Sequence, residues 1–299
     1  MEFETPKTAL LFPGQGSQFA GMGKELYQRF PPAQKLLDQA CEILDFDLKE
    51  IMFGEDDEAL RPTQIAQPAM YVCDSMFFEH FRSKGISFEA VAGHSLGEYA
   101  ALQSAGVFSF GEGLQLVAER GLLMQEACDL YNGGMTAVIG SDHQSIQDAI
   151  STVRENVVIA NLNAKTQVVI SGLRTSLEKV GEVLTAKGAI VKPLRVAGAF
   201  HSSFMKQAAE KMALQIDNVN FHAPVISVIP NTLAKLTNVP NEIREALKAQ
   251  MTGQVRWFET MGVLEENAFT NLYEIGPGDT LRKMQRMISV KLKCQTLIL

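Results

Sequence analysis

Two short apolar segments, each followed at once by a glycine-containing turn and a helical stretch, constrain the fold of this chain most. Residues 8–12 read TALLF and continue into PGQG, and residues 89–92 read EAVA and continue into GHSLG. Both segments are too short for helices and lack polar alternation, so we predict strands that are buried on both faces. Such strands are typical of a parallel sheet covered by helices.

The middle of the chain has a different periodicity. There the sequence predicts an alternation of short strands and helices in the order β-α-β-β-α-β, with strands at 136–140, 157–161, 167–171 and 189–196 and helices at 145–152 and 177–187. This order is that of the ferredoxin-like split βαβ unit. We therefore expect a small subdomain at residues 129–198, inserted into a large α/β domain formed by residues 1–128 and 199–299.

Composition argues against several classes of protein. Of the 299 residues, 46% are hydrophobic and 20% are charged, a balance that favours a globular core over disorder. The formal net charge of −7 argues against a nucleic-acid partner. Four widely spaced cysteines form no metal-ligand spacing and favour a reducing compartment. The N-terminal segment is too polar for a signal peptide, and no apolar run approaches the ~18 residues of a membrane span, so we expect a cytoplasmic protein without a membrane partner.

The segment GHSLG places Ser95 in a GxSxG pattern at a predicted strand-to-helix junction. The glycines permit a sharp turn that exposes the Ser hydroxyl, and the next helix directs N–H groups and positive partial charge toward it. The Leu96 N–H is then a candidate donor to an oxyanion. This pattern predicts a nucleophilic Ser95, although a serine that only caps the helix would look the same.

A serine nucleophile needs a base, and the best candidate among the five histidines is His201. His80 and His143 fall on predicted surfaces, and His94 is adjacent to Ser95 and would point away from it. The chain does not follow the order of an α/β-hydrolase, since no acidic residue ends a strand between the serine and His201 and a long segment follows it. We expect a backbone carbonyl to orient the ring, and a purely structural histidine stays open.

Three further features could bind a substrate. The Gln15 N–H, in GQGSQ after the first strand, could be the second oxyanion donor, although a plain turn would look the same. Arg120 lies in the apolar helical stretch LQLVAERGLLMQEA, where a guanidinium needs an anion from a ligand or from a neighbouring acidic residue. Amides between Asn161 and Gln167, including Asn163, could line a cleft or could only bond their own turn.

Six segments occur in an order and spacing that resemble one enzyme family: FPGQGSQ, GHSLGEYAAL, ERGLLMQEA, NLNAKTQVVISG, GAFHSSFM and YEIGPG. Together they resemble the malonyl-CoA:acyl-carrier-protein transacylases, from about Ala9 to the C-terminus, and also the free-standing acyltransferases that serve polyketide synthases. The resemblance implies a hydrolase-like parallel-sheet core with an inserted ferredoxin-like subdomain. It also implies transfer of a malonyl group from malonyl-CoA, through a Ser ester, to the phosphopantetheine thiol of an acyl carrier protein, in fatty-acid or polyketide synthesis and without a bound cofactor or metal.

The resemblance also implies roles for the residues that match the motifs. Ser95 becomes the nucleophile and His201 the base, and the N–H groups of Gln15 and Leu96 form the oxyanion hole. Arg120 becomes the ligand of the malonyl carboxylate.

Four other positions are given supporting roles by the same resemblance. Phe200, in the triplet Ala-Phe-His, resembles the malonyl-selective version of the site. His94 and Asn163 are expected to support the catalytic residues. The backbone carbonyl of Arg256 is expected to orient the base.

Two other functions stay open. An acyl hydrolase of the same fold would remove acyl groups from carrier proteins, but such enzymes generally lack the carboxylate-binding Arg, so Arg120 argues against it. A non-catalytic docking subunit would not need Ser95 or His201. A basic run near the C-terminus could dock an acidic carrier protein, although a solvated helix face would look the same; it comprises Arg282, Lys283, Arg286, Lys291 and Lys293.

Overall fold

Two separate β-sheets organise the chain in the computed structural model, which describes residues 7–153 and 155–297. Within these residues the strands are β1 (Lys7–Phe12), β2 (Ala90–Gly93), β3 (Gly133–Ile139), β4 (Val157–Ala164), β5 (Gln167–Leu173), β6 (Ile190–Pro193), β7 (Ser227–Val228), β8 (Phe269–Glu274) and β9 (Lys293–Thr296). The first sheet is parallel, in the order β7-β2-β1-β8-β9, and the second is antiparallel, in the order β4-β5-β3-β6. The predicted α/β class is confirmed.

Helices cover the parallel sheet and one face of the antiparallel sheet. They are α1 (Lys24–Arg29), α2 (Pro31–Ile43), α3 (Leu48–Phe53), α4 (Thr63–Ser83), α5 (Gly97–Ser104), α6 (Phe110–Leu130), α7 (His143–Val153), α8 (Arg174–Ala186), α9 (Lys206–Asp217), α10 (Pro240–Gln250), α11 (Trp257–Glu266) and α12 (Thr280–Gln285). Short 3₁₀ turns occupy Asp57–Leu60 and Ser203–Met205. None of the helices in the described part of the chain is both long and apolar enough to cross a membrane.

The central strand β1 is buried on both faces, as its sequence predicts. Leu10 and Phe12 pack into one hydrophobic cluster, whereas Ala9 and Leu11 pack into another on the opposite face. Strand β2 lies beside β1 with Phe12 opposite Gly93, so the turns that follow both strands lie together at the carboxyl edge of the sheet. This edge is where ligands bind in parallel α/β sheets.

The antiparallel sheet has the strand order of a ferredoxin-like fold. Helices α7 and α8 pack together on one of its faces around a cluster that includes Val138 and Ile170. Met135, Ala137 and Val169 belong instead to the main cluster, which extends from the parallel-sheet region. The second face of the antiparallel sheet is therefore directed at the carboxyl edge of the parallel sheet.

Strand β4 also forms a short connection to the loop before α11. The Leu162 N–H donates to the Val255 carbonyl at 2.9 Å, and the Val255 N–H donates to the Ala160 carbonyl at 2.8 Å. The side-chain amide of Gln254 adds a bond to the Ile159 carbonyl at 3.0 Å. One edge of the antiparallel sheet is thereby joined to a loop of the parallel-sheet region.

Candidate active site

Ser95 lies in the turn between β2 and α5 with a φ of 52°, in the left-handed region that side chains rarely adopt. The turn is closely packed on both sides. A Cβ on Gly93 would lie 2.0 Å from the Gly97 carbonyl, and a Cβ on Gly97 would lie 2.2 Å from the carbonyl oxygen of Phe12. Only glycine fits either position, so the two glycines of GxSxG hold the serine in a strained turn of the nucleophile-elbow type.

Asn231, in the loop after β7, holds this turn from outside. Its Nδ2 donates to the Gly93 carbonyl at 2.6 Å, and its Oδ1 accepts from the Ser95 N–H at 2.7 Å. The side chain is buried, at 1% exposure. Sequence reasoning did not single out this residue, because an asparagine after a strand is a common turn residue and carries no signal of its own.

His201 contacts the serine directly. Its Nε2 lies 2.7 Å from the Ser95 Oγ, and its Nδ1 lies 2.9 Å from the Gln250 carbonyl and 3.0 Å from the Gly253 carbonyl. Carbonyl oxygens only accept, so the Nδ1 carries the hydrogen of the neutral ring. The Nε2 lone pair then faces the serine hydroxyl, the arrangement required of a general base.

The prediction that the Arg256 carbonyl orients His201 is wrong. Arg256 precedes the first residue of α11, and its carbonyl accepts from the Thr260 N–H at 2.9 Å, the first hydrogen bond of that helix. The ring is instead oriented by the carbonyls of Gln250 and Gly253. Arg256 contributes indirectly, since its N–H donates to the Asn231 carbonyl at 3.2 Å.

Burial, followed by the positive charge of Arg120, lowers the pKa of His201 from 6.5 to about 3. The two carbonyls that accept from its Nδ1 act in the opposite direction but less strongly. The imidazole is therefore neutral at neutral pH, and its Nε2 is free to take a proton.

Arg120 extends from α6 to the same place and is 1% exposed. Its Nη1 donates to the Gln67 side chain at 2.7 Å, and its Nη2 donates to the Gln250 side chain at 2.9 Å and lies 3.4 Å from the Ser95 Oγ. No Asp or Glu within the described residues forms an ion pair with it, and its Nε–H has no partner there. The guanidinium also lies over the Tyr99 ring, with 5.6 Å between its Cζ and the ring centroid. A buried guanidinium that has only neutral hydrogen-bond partners among the described residues is suited to bind an anion beside the nucleophile.

The two expected oxyanion donors are unoccupied by internal hydrogen bonds. Among the described residues no acceptor bonds the N–H of Gln15 or of Leu96. By contrast, the Ser95 N–H donates to the Asn231 Oδ1, and the Gly97 N–H donates to the His94 carbonyl. Gln15 lies in the turn after β1, which the sheet register sets beside the Ser95 turn. Both N–H groups are thus available near the nucleophile.

His94 points away from Ser95, as its position in the sequence predicts. Its Nε2 lies 2.9 Å from the Asn163 Oδ1, and its ring meets the Trp257 ring edge-on at 5.4 Å. Because an amide oxygen only accepts, the Nε2 carries the hydrogen. Asn163 is the penultimate residue of β4, so this bond joins the antiparallel sheet to the nucleophile turn.

A cavity of about 390 Å³ opens between the two sheets and brings most of the predicted residues together. Its lining includes Gln15, His94, Ser95, Arg120, Asn163, Phe200 and His201, together with the predicted cleft amides Asn161 and Gln167. The side chains of Leu96 and Arg256 do not line it. The remainder of its surface is largely apolar, so the cavity can exclude water from the serine.

The C-terminal basic run does not form one free patch. Arg282 and Lys283 both pair with Asp279, and Lys291 pairs with Glu265 at 3.1 Å. The five cations also do not share one helix, because α12 ends at Gln285 and β9 begins at Lys293. Pairing and dispersal weaken the prediction that this run docks a carrier protein.

Comparison with known proteins places this architecture in a family. Residues 9–277 match the family model described as the acyl transferase domain. The chain belongs to the acyl transferase domain family. A curated member from Bacillus subtilis, malonyl CoA-acyl carrier protein transacylase, is 40% identical over 291 residues, which cover 96% of this chain and 92% of that protein.

Solved structures of two malonyl transacylases each superpose on 97% of this chain. The malonyl-CoA:ACP transacylase of Synechocystis sp. PCC 6803 is 39% identical, with a TM-score of 0.90 over 97% of both chains. A malonyl-transacylase solved in complex with a holo type II polyketide synthase acyl-carrier protein is 36% identical, with a TM-score of 0.94 over 97% of this chain and 96% of that one. These likenesses confirm the family resemblance of the sequence motifs.

Proposed function

We propose that this acyl transferase domain protein moves a malonyl group from malonyl-CoA, through an ester on Ser95, to the phosphopantetheine thiol of an acyl carrier protein. The observation that carries the proposal is the buried Arg120, which forms no ion pair among the described residues and whose Nη2 lies 3.4 Å from the Ser95 Oγ. An acyl group with a terminal carboxylate two carbons beyond its carbonyl would place that carboxylate against the guanidinium. The names of the relatives support the same substrate.

The first half-reaction forms the acyl-enzyme. His201 takes the proton of the Ser95 hydroxyl as its oxygen attacks the thioester carbonyl. The N–H groups of Gln15 and Leu96 stabilise the oxyanion of the tetrahedral intermediate. The thiolate of coenzyme A then leaves and takes the proton from His201, and the malonyl ester of Ser95 remains.

The second half-reaction reverses these steps with a different thiol. The phosphopantetheine thiol of the carrier protein gives its proton to His201 and attacks the ester, and Ser95 recovers its proton as the malonyl thioester leaves. Arg120 selects for malonyl over acetyl in both steps, because an acetyl group would leave the buried guanidinium without an anion. Phe200 narrows the cavity beside the acyl group.

Several other expectations belong with this proposal. No bound cofactor is required, since malonyl-CoA and the carrier-bound phosphopantetheine are substrates. The division into a large domain and a subdomain at 129–198 is supported by the antiparallel strands, which all lie between Gly133 and Pro193. A carrier protein as partner is supported by the complex that one relative forms with such a protein. A cytoplasmic location stays a prediction.

The proposal is tested by intact-protein mass spectrometry after mixing with malonyl-CoA and then with a phosphopantetheinylated carrier protein. We expect a malonyl adduct that maps to Ser95, persists in buffer and moves to the carrier thiol. The Ser95→Ala variant is the matched control and should show no adduct.

Two results would contradict the proposal. Release of free malonate without an accumulating adduct would favour the acyl hydrolase, because water would then be the acceptor. Absence of both adduct and turnover with malonyl-CoA would make the substrate assignment wrong.

A further inference from the structure

Glu98 is a buried carboxylate that takes part in none of the steps of the proposed reaction. It lies in the first turn of α5, three residues after Ser95, and is 2% exposed. Its Oε2 accepts from the Gln250 Nε2 at 2.7 Å and from the Asn231 N–H at 3.2 Å, whereas its Oε1 has no partner in the described structure. Burying a carboxylate is costly unless its hydrogen bonds serve it well, so these two bonds indicate a specific use.

The first partner, Gln250, contacts three parts of the active site. Besides Glu98, its Nε2 donates to the Ser95 carbonyl at 2.8 Å. Its Oε1 accepts from the Arg120 Nη2 at 2.9 Å, and its backbone carbonyl accepts from the His201 Nδ1 at 2.9 Å. Nucleophile, base and guanidinium thus meet at one residue.

Glu98 fixes which way the Gln250 amide faces, together with the Ser95 carbonyl, which accepts from the same Nε2. An amide oxygen and nitrogen have nearly the same shape and are distinguished by their hydrogen-bond partners. Because the Oε2 of Glu98 accepts, it keeps the amide nitrogen on its own side and leaves the amide oxygen facing Arg120. With the amide reversed, two oxygens would face each other and a nitrogen would face the guanidinium.

The second partner, Asn231, is the residue that clamps the nucleophile turn. Its backbone N–H is bound by Glu98, while its side chain bonds the Gly93 carbonyl and the Ser95 N–H. A single carboxylate oxygen therefore connects the clamp on the serine to the residue that holds the base and the guanidinium.

We propose that Glu98 is a positioning residue. Through its bonds to Asn231 and Gln250 it holds the Ser95 turn at a fixed position relative to the base His201 and the guanidinium of Arg120. The roles of those residues rest on the proposed function. Glu98 itself does not line the cavity. Its effect is on the distance between the serine oxygen and the base and on the direction in which the guanidinium points.

Protonation of Glu98 weakens these two bonds but leaves both in place. Burial raises the pKa of Glu98 from 4.5 to about 7, against the opposing effects of Gln250, Asn231 and Arg120. A proton placed on the unpartnered Oε1 leaves Oε2 free to accept both bonds. A neutral side chain of the same length can therefore do the same work.

Two conservative variants separate the effect of the length of the Glu98 side chain from the effect of its charge. Glu98→Gln keeps the accepting oxygen at the same distance but removes the charge, whereas Glu98→Asp keeps the acid but withdraws it by one methylene. We expect Glu98→Gln to label at Ser95 with a fluorophosphonate within about threefold of the wild-type rate. We expect Glu98→Asp to label at least about tenfold more slowly, the effect of losing about 1.4 kcal/mol of positioning.

The same pair is compared for acyl selectivity, from the malonyl and acetyl adducts seen by mass spectrometry when both acyl-CoAs compete. Glu98→Asp should lower the malonyl preference, and Glu98→Gln should keep it. Asp74→Asn is the matched control, because Asp74 is a fully buried carboxylate whose oxygens have no hydrogen-bond partner among the described residues. It should label at the wild-type rate.

The opposite order, an impaired Glu98→Gln with a normal Glu98→Asp, would overturn the proposal in favour of a role for charge. Equal and normal labelling by both variants, with unchanged selectivity, would overturn it as well. Labelling requires no malonyl-CoA, so it still tests Glu98 if the wild-type protein forms no malonyl adduct and the proposed function fails.

Discussion

The parallel-sheet region and the antiparallel-sheet region contribute different kinds of residue to the same cavity. Ser95 contacts both His201 and Arg120, and all three residues come from the parallel-sheet region. The antiparallel sheet contributes apolar side chains and the amides of Asn161, Asn163 and Gln167 to the cavity lining. Of these amides, that of Asn163 bonds the His94 ring beside the nucleophile. The chemistry is therefore built at the carboxyl edge of one sheet, and the other sheet shapes and encloses it.

Backbone strain follows the same division. Among the described residues the non-glycine positions with positive φ are Ser95, His201, Ala234 and Ala268, and none lies between residues 129 and 198. Such conformations cost on the order of 1–3 kcal/mol each and persist only where surrounding contacts hold them. Asn231 and the glycines beside Ser95 are such contacts, so the parallel-sheet region carries both the strain and its supports.

The largest expected effect tests whether the chemistry belongs to the parallel-sheet region. Ser95→Ala and His201→Ala should each lower kcat for malonyl transfer by on the order of 10⁶-fold, since each removes one member of a unit that acts together. Steady-state transfer to a carrier protein measures this. Ser104→Ala, which removes a buried hydroxyl that donates to the Ala101 carbonyl, is the control and should stay active. Comparable turnover in either active-site variant would contradict the assignment.

The next effect concerns acyl selectivity. Arg120→Ala should lower kcat/KM for malonyl-CoA by ~10²-fold, because a charged hydrogen bond to the substrate contributes about 3 kcal/mol. It should raise the relative rate with acetyl-CoA, which no longer leaves a buried charge unpaired. Competition between the two acyl-CoAs measures the ratio. Unchanged selectivity in this variant would show that the carboxylate binds elsewhere.

The pH dependence of labelling at Ser95 tests whether the charge of Arg120 lowers the pKa of His201. Protonation removes the base, and the pKa of His201 is lowered to about 3 by burial and by Arg120. Fluorophosphonate labelling of the wild-type protein should therefore stay constant as the pH falls from 8 to about 5. In Arg120→Ala the pKa of His201 should rise, and labelling should begin to fall at a higher pH. Identical profiles for the two proteins would show that the charge of Arg120 does not act on the base.

The smallest effects are expected in the antiparallel-sheet region. Asn163→Ala removes the bond to His94 and should slow transfer by up to about tenfold, as expected for a neutral hydrogen bond worth 0.5–1.5 kcal/mol. Gln144→Ala is the control, because Gln144 bonds Asp148 on the exposed face of α7. A loss as large as that of Arg120→Ala would contradict the division of labour between the two sheets.

How far the site could be predicted depended on whether its residues carry a local pattern. Ser95 could be found because GxSxG describes a turn that the chain makes within five residues. Gln250 and Asn231 could not, because an isolated glutamine in a helix or asparagine in a loop looks like any other. The error at Arg256 has the same origin, since a backbone carbonyl has no side-chain signature and only its place in the fold shows whether it is free.

By itself the sequence determined the elements and their order: strands buried on both faces, the inserted β-α-β-β-α-β unit and the strained turn at Ser95. These follow from hydrophobic periodicity and from glycine, which act over a few residues. Only the tertiary structure decided the partners. Ser95 bonds His201, which is 106 positions away in the sequence, and Asn231, which is 136 positions away. Arg120 bonds Gln250, which is 130 positions away. Such contacts depend on how the sheets and helices pack, because hydrogen bonds and charges act through space rather than along the chain.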